Sequence, residues 1–101
     1  QRQAATIKAY QDQAILSMSP TQLILKVYDI AIVSIKKRDL PRAQRAIQEL
    51  INSLNFDYGE IPQGLFRLYQ FSQTALREKR FDDAVAILEE LRSTWAKAFN
   101  L

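Results

Sequence analysis

Helical periodicity runs through nearly the whole sequence and leaves little room for any other fold. Apolar residues recur every three or four positions, and only two glycines and three prolines interrupt the 101 residues. Such a chain favours long helices over a turn-rich β fold. A chain of this length can bury roughly two-thirds of its unfolded surface, so we expect a single domain over residues 1–101.

The segment at 20–37 carries the clearest helix signal. Ser19 suits an N-cap, Pro20 suits the first helical position, and Gln22 completes a capping box with Ser19. The apolar residues that follow cover an arc of roughly 220°, whereas one packing partner needs only about 100–160°. We therefore expect this helix either to lie at the centre of a bundle or to present a second apolar face to another molecule.

Three more amphipathic helices are predicted after it. Asp39 is the N-cap expected for the first of them, which carries apolar residues as far as Leu54, and the others span about 61–79 and 82–99. Residues 3–16 are more weakly amphipathic. Because the connections are short, consecutive helices should run antiparallel. The sequence thus predicts an all-α, antiparallel up-and-down bundle of four main helices plus a short N-terminal helix.

Two parts of the sequence begin alike. Residues 39–50 resemble residues 80–91, at an offset of 41 positions. Two copies are too few for a solenoid, which needs about three to cover its faces. We interpret the likeness as two similar helix beginnings rather than as a true repeat.

Catalytic side chains are scarce in this sequence. It contains no histidine and no cysteine, so the commonest general base, soft metal ligand and thiol nucleophile are all missing. The adjacent carboxylates Asp82 and Asp83 are explained as first-turn acids that complement a helix dipole. We expect no enzymatic activity, no cofactor and no metal site, and therefore a binding function.

Positive charge clusters at two predicted helix ends. Lys36–Arg38 and Arg77–Arg80 should lie at the same end of an up-and-down bundle, and the net charge of +3 is below that of dedicated nucleic-acid binders. One interpretation is a solvated end whose cations complement the helix dipoles. The other is an acidic or phosphate-bearing partner held by Arg38, Arg42 and Arg45, since the last two occupy first turns, where positive charge is unfavourable.

Several segments, taken in order, resemble the flagellin export chaperones of the FliS family. The segments are Ala9-Tyr10-Gln11, Ser19-Pro20, Leu23-Ile24-Leu25, Tyr28-Asp29-Ile30-Ala31-Ile32, Ser53-Leu54-Asn55-Phe56, Gly59-Glu60-Ile61, Leu68-Tyr69 and Leu91-Arg92-Ser93-Thr94-Trp95. The match covers about residues 9–99. One departure is Ile30, which stands where the family usually has glycine.

The resemblance implies a flagellin-specific chaperone without a cofactor. It would bind the C-terminal region of bacterial flagellin in the cytoplasm, prevent premature polymerisation and assist type III flagellar export, with the export gate as a further partner. The absence of cysteine fits a reducing compartment, and no apolar run reaches the roughly 18 residues that span a bilayer. Whether the free protein is a monomer or a dimer stays open.

The apolar surplus of the helices at 20–37 and 61–79 agrees with this role, since helix-in-groove recognition needs uncovered apolar surface. We predict client-binding grooves lined by Leu25, Tyr28, Ile32, Phe66 and Phe71, with Ile7 and Tyr10 of the first helix packed nearby. The alternative is that all these residues belong to the core. A rival function is a helical regulatory or scaffold module, either TPR-like or basic-ended, that binds another protein or nucleic acid.

Overall fold

The computed structural model describes residues 18–101, and every regular element in that range is helical. The elements are α1 (Pro20–Lys36), α2 (Leu40–Asn52), a 3₁₀ turn (Phe56–Tyr58), α3 (Glu60–Arg77) and α4 (Phe81–Phe99). The prediction of four main helices is thereby confirmed, with bounds close to the predicted ones. The N-terminal helix expected at 3–16 lies outside the described residues. None of the four helices combines the length and the apolar character that a bilayer-spanning segment needs.

Two of the helices begin at the side-chain caps that the sequence predicts. The Gln22 amide donates to Ser19 Oγ at 3.3 Å, and the Ser19 amide donates to Gln22 Oε1 at 2.9 Å. These reciprocal bonds satisfy two amides that have no partner within the helix. At the start of α2, the Arg42 amide donates to Asp39 Oδ1 at 3.3 Å. Both predicted N-caps are confirmed.

The four helices form a ring in which each packs against two others. Helix α1 packs against α2 and α4, and α3 packs against the same two helices, with the smallest contact between α2 and α3. Two cross-links show that α1 and α4 run antiparallel. Trp95 Nε1–H donates to the Thr21 carbonyl at 2.8 Å, whereas at the other end of α1 Lys36 Nζ lies 3.1 Å from Glu89 Oε1.

The core corrects one part of the predicted binding site. Tyr28 is 1% exposed and is a core residue of the bundle rather than a groove residue on its surface, whereas Ile32 is 7% exposed and still lines a pocket between α1 and α4. The reason is that α1 packs against helices on both sides, which covers most of its wide apolar arc. Helix α1 makes the two largest contacts of the ring but is not enclosed by it, since Leu23 and Val33 stay exposed in the described part of the chain.

A pair of buried tyrosines joins α1 to α3 across the middle of the bundle. The hydroxyl oxygens of Tyr28 and Tyr69 are 2.6 Å apart, and their ring centroids are 6.3 Å apart. The two hydroxyls therefore share one hydrogen bond, in which one donates and the other accepts, in a place that water does not reach. Burial disfavours the charged phenolates and raises the pKa of both side chains above the usual value for tyrosine.

The likeness between the two halves of the chain extends well beyond two helix beginnings. The hairpin of α1 and α2 corresponds to the hairpin of α3 and α4 at the 41-residue offset that also separates the two tyrosines. Corresponding positions are buried in both hairpins. Such pairs are Tyr28 and Tyr69, Ser34 and Ala75, Ile35 and Leu76, Ala43 and Ala84, and Ile47 and Leu88. The bundle is thus built from two similar hairpins, which corrects the narrower interpretation of the sequence.

The connections inside the two hairpins also correspond. Arg38 and Lys79 both adopt a left-handed backbone with φ of 61°. In each case the next amide reaches back to close the preceding helix, from Asp39 to the Ser34 carbonyl and from Arg80 to the Ala75 carbonyl, both at 2.8 Å. These bonds satisfy carbonyls at the helix ends that would otherwise lack a partner.

The tyrosine pair predicts non-additive effects of substitution. Tyr28→Phe leaves the Tyr69 hydroxyl buried without its partner, so we expect the free energy of unfolding to fall by about 1–3 kcal/mol. The double variant Tyr28→Phe/Tyr69→Phe leaves no orphaned hydroxyl and should lose less than the sum of the two single variants. Urea unfolding of the four proteins measures this. Strictly additive losses would show that the two hydroxyls do not depend on each other.

The raised pKa values predict a loss of stability at high pH. The unfolded tyrosines ionise near pH 10 and the folded ones only above it, so the unfolded state releases protons first. Their contribution is complete below pH 10 and falls as the pH rises above it, by up to about 1.4 kcal/mol per tyrosine per pH unit. Urea unfolding at pH 8 and pH 11 should show a larger loss for the wild type than for Tyr28→Phe/Tyr69→Phe. Equal losses of stability in the two proteins would show that ionisation of Tyr28 and Tyr69 does not cause the loss at high pH.

The two glycines are expected to respond in opposite ways to alanine. Gly59 has a φ of 85°, which strains any side chain, so Gly59→Ala should lower the free energy of unfolding by about 1 kcal/mol or more. Gly64 lies inside α3 with no atom within 4 Å of an added Cβ, so Gly64→Ala should raise it by about 0.5–1 kcal/mol. Chemical denaturation of both variants measures the two free energies of unfolding. A change of the same sign in both variants would contradict the prediction.

Candidate partner-binding surfaces

A row of uncovered apolar residues follows one flank of α3. Ile61, Leu68 and Phe71 are 76%, 37% and 39% exposed. Their spacing of seven and three residues places them on one side of the helix, and Gly64 falls on the same side with open space around it. We call Ile61, Gly64, Leu68 and Phe71 the α3 stripe. It is apolar surface that the described bundle does not cover.

One end of the α3 stripe is bordered by Arg80 and its two carboxylate partners. The guanidinium of Arg80 lies over the Phe71 ring, 5.3 Å from its centroid, and also pairs with Glu78 at 3.0 Å and Asp83 at 3.4 Å. Such cation–π stacking holds the aromatic ring in place without covering its outer edge. The opposite end, at Ile61, is almost fully open.

A groove between α2 and α3 forms a second candidate surface, which we call the α2–α3 groove. Amide side chains line both walls, with Arg77 at one end, Arg45 midway, and Ile51 and Phe66 at the other end. A single side-chain hydrogen bond crosses it between described residues, from Gln73 Nε2 to the Gln44 carbonyl at 3.3 Å. At 100° per residue, the α3 residues of this groove lie on the opposite flank of the helix from the α3 stripe.

The α1–α4 seam, by contrast, is bridged by ion pairs, and a pocket lined by Ile32, Ser93 and Ala96 lies beside them. Arg92 donates through Nε and Nη2 to the two carboxylate oxygens of Asp29, and this hydrogen bonding raises the pKa of the guanidinium. Nearer the basic end, Lys36 pairs with Glu89 at 3.1 Å. All four side chains are partly exposed, so each pair contributes up to about 1 kcal/mol. Their main consequence is that the surface between these two helices is bridged.

The predicted client-binding residues do not share one groove. Phe71 belongs to the α3 stripe, whereas Phe66 lies in the α2–α3 groove, where the Phe56 ring packs edge-on against it at 5.8 Å between centroids. Leu25 is half-buried on α1, at the position that corresponds to Phe66 in the other hairpin. The predicted residues Ile7 and Tyr10 lie outside the described residues. The set thus divides between two surfaces and the core.

The three arginines proposed for an acidic partner are also dispersed. Arg38 stacks on Phe81, 4.2 Å from the ring centroid, which shows that the two basic turns lie at the same end of the bundle, as predicted. Arg42 lines a pocket between α1 and α2, and Asp29 and Asp39 line the same pocket. Arg45 lines the α2–α3 groove. These three arginines therefore do not form a single cluster.

Sequence reasoning missed the central member of the α3 stripe. Periodicity assigns Leu68 to the core side of its helix together with Leu65 and Tyr69, because the three lie within one broad apolar arc. In the bundle Tyr69 is buried, whereas Leu68 lies at the margin of the core and is partly exposed. The spacing of Ile61, Leu68 and Phe71 was the available signal. Only the position of the neighbouring helices shows which edge of the arc stays open.

The described residues hold no group of three or more carboxylates that could bind a metal ion. Asp82 and Asp83 lie in the first turn of α4, as expected for acids that complement the helix dipole. The described residues form two candidate surfaces, an apolar stripe on one flank of α3 and a groove lined by two arginines on the other.

Comparison with known proteins identifies the family of the chain. No curated protein and no solved structure matches the chain. The family described as flagellar protein FliS matches residues 33–100, which is more than half of the sequence and includes α2, α3 and α4 entire. The protein therefore belongs to the FliS family of flagellar proteins.

Proposed function

We propose that this protein is an export chaperone that binds the C-terminal segment of flagellin in the cytoplasm and keeps it from polymerising before export. Membership of the FliS family supports a flagellar chaperone role. The observation that carries the proposal is the α3 stripe, where Ile61, Leu68 and Phe71 leave apolar surface uncovered on one flank of a rigid helix. A helical client segment with an apolar face of its own would fit such a stripe.

The energetics require several anchors to act together. Burying one large apolar side chain completely is worth about 1.5–3 kcal/mol, and Leu68 and Phe71 are already more than half covered. Ordering a disordered client segment costs about 2–5 kcal/mol. Micromolar affinity corresponds to about 8 kcal/mol, so the client has to contact the whole stripe and its neighbours. A single charge in the middle of the stripe should therefore be enough to lower the affinity severely.

The chaperone effect follows from the same contact. Apolar surface of the client that is buried against α3 is not available to a second flagellin molecule, so assembly in the cytoplasm is prevented while the complex lasts. Because the interaction is apolar rather than covalent, the client can be released intact at the export gate. No cofactor or chemical reaction is needed for either step.

A second candidate function is a regulatory or scaffold module that binds through positive charge. The observation in its favour is the α2–α3 groove, with Arg45 and Arg77 in its lining. The two functions differ in their response to salt. Apolar client binding should persist at 0.5 M salt, whereas binding to the phosphates of a nucleic acid should weaken steeply.

Substitution in the α3 stripe tests the proposed function. Isothermal titration calorimetry of the wild type with a flagellin C-terminal peptide should show binding with a 1:1 stoichiometry. Leu68→Asp should weaken it at least tenfold, because a carboxylate would have to be desolvated at the centre of the contact. Circular dichroism shows whether the variant keeps its helical fold.

Val33 provides the matched control. It is 47% exposed on α1, outside the α3 stripe, so Val33→Asp introduces the same charge on another surface and should leave peptide binding unchanged. Equal affinities of the two variants would exclude the stripe as the binding surface. No heat from the wild type at high micromolar peptide would exclude the function itself.

A further inference from the structure

The two similar hairpins allow the α2–α3 groove to be compared position by position with the bridged α1–α4 seam. In the bridged seam, Lys36 of α1 pairs with Glu89 of α4 at 3.1 Å. At the corresponding positions of the groove stand Arg77 of α3 and Gln48 of α2. The cation is kept and its carboxylate is replaced by an amide. Arg77 instead donates to the Thr74 hydroxyl at 3.0 Å.

The second ion pair is missing from the groove in the same way. Asp29 and Arg92 bridge the α1–α4 seam, whereas Gln70 and Ile51 occupy the corresponding positions in the α2–α3 groove. Neither of these side chains carries a charge. Among residues 18–101, no salt bridge joins α2 to α3. The contact between α2 and α3 is also the smallest in the ring, so among the described residues this seam is the least closely packed.

The side chains that line the α2–α3 groove determine the chemistry of a partner that would bind in it. Its lining includes Arg45 and Arg77 but no carboxylate, and within the described chain neither arginine forms a salt bridge. Glutamines on both walls can donate and accept hydrogen bonds. Ile51 and Phe66 offer apolar contact at the end away from Arg77. A complementary surface therefore carries carboxylates toward one end and apolar side chains toward the other.

We propose that the α2–α3 groove is a second docking site, which binds an amphipathic helix of a partner protein that has carboxylates opposite Arg45 and Arg77 and apolar side chains opposite Ile51 and Phe66. In the α1–α4 seam, Glu89 of the same chain pairs with Lys36. In the α2–α3 groove, a carboxylate of the partner would pair in the same way with Arg77. Because the groove and the α3 stripe lie on opposite flanks of α3, both can be occupied at once. The proposal does not depend on flagellin being the client of the stripe.

The length of the groove sets the size of the probe. Its α2 wall runs from Pro41 to Ile51, which at 1.5 Å per residue is about 15 Å, or roughly three helical turns. A suitable probe is a fluorescein-labelled helical peptide of about 14 residues with leucines along one face and glutamates beside them. The comparison peptide has lysine in place of every glutamate.

Fluorescence anisotropy with the full chain should show binding of the Glu peptide and much weaker binding of the Lys peptide. The affinity for the Glu peptide should fall as salt rises, because the charged contacts are exposed to solvent. In the double variant Arg45→Glu/Arg77→Glu, the Glu peptide should bind at least tenfold more weakly at low salt and the Lys peptide more tightly than in the wild type.

Two controls separate the groove from general charge effects. Arg42→Glu/Lys97→Glu makes the same change in net charge at exposed positions outside the groove lining, and should leave Glu-peptide binding within twofold of the wild type. Gln48→Glu gives Arg77 the carboxylate that Glu89 gives Lys36. It should weaken Glu-peptide binding without lowering the temperature of thermal unfolding.

The outcomes also separate this proposal from the proposed function. Flagellin-peptide binding should be the same in Arg45→Glu/Arg77→Glu as in the wild type, whereas Leu68→Asp should still bind the Glu peptide. Equal binding of the Glu and Lys peptides, or an unchanged affinity in the groove double variant, would overturn the second site. So would tighter binding of a single-stranded DNA oligonucleotide than of the Glu peptide, since the groove would then be a phosphate-binding surface.

Discussion

The hydroxyls of Tyr28 and Tyr69 meet at the centre of the bundle, and the arrangement of the four helices depends on that contact. Their helices, α1 and α3, lie opposite each other in the ring and pack mainly on α2 and α4 rather than on one another. A buried hydroxyl without a partner is costly, and here each hydroxyl has the other within 2.6 Å. The two hairpins can therefore slide past each other only by breaking this pair.

With the hairpins held in that register, their differences decide which surfaces remain available. The α1–α4 seam has charged residues where the α2–α3 groove has Gln48, Ile51 and Gln70, so ion pairs bridge the ring at the first seam and not at the second. On α3, Phe71 corresponds to Ile30 of α1, which is half-buried, yet Phe71 is exposed. Both candidate binding surfaces thus occur where the internal likeness of the two hairpins fails.

Binding residues were harder to predict than the fold, because they depend on contacts between helices. Capping at Ser19 and Asp39 depends on residues three positions apart, so local sequence was sufficient. Tyr28 and Ile32 were predicted as groove residues because α1 has more apolar surface than one neighbour can cover. That count was sound, but α1 has two neighbours, and they cover most of its apolar arc, including Tyr28. On α3 the surplus included Phe71, which does remain exposed.

By itself the sequence determined the helices, their caps, the short connections and the family likeness, because periodicity, capping and ordered motifs are all properties of nearby residues. It also determined that the described chain would lack the usual catalytic side chains, since histidine and cysteine are absent. Only the tertiary structure decided which apolar edge of α3 stays uncovered, which arginines share a groove, and that Tyr28 meets Tyr69. These depend on contacts between residues about 30 to 70 positions apart, and the pattern within one helix does not reveal which neighbour will cover it.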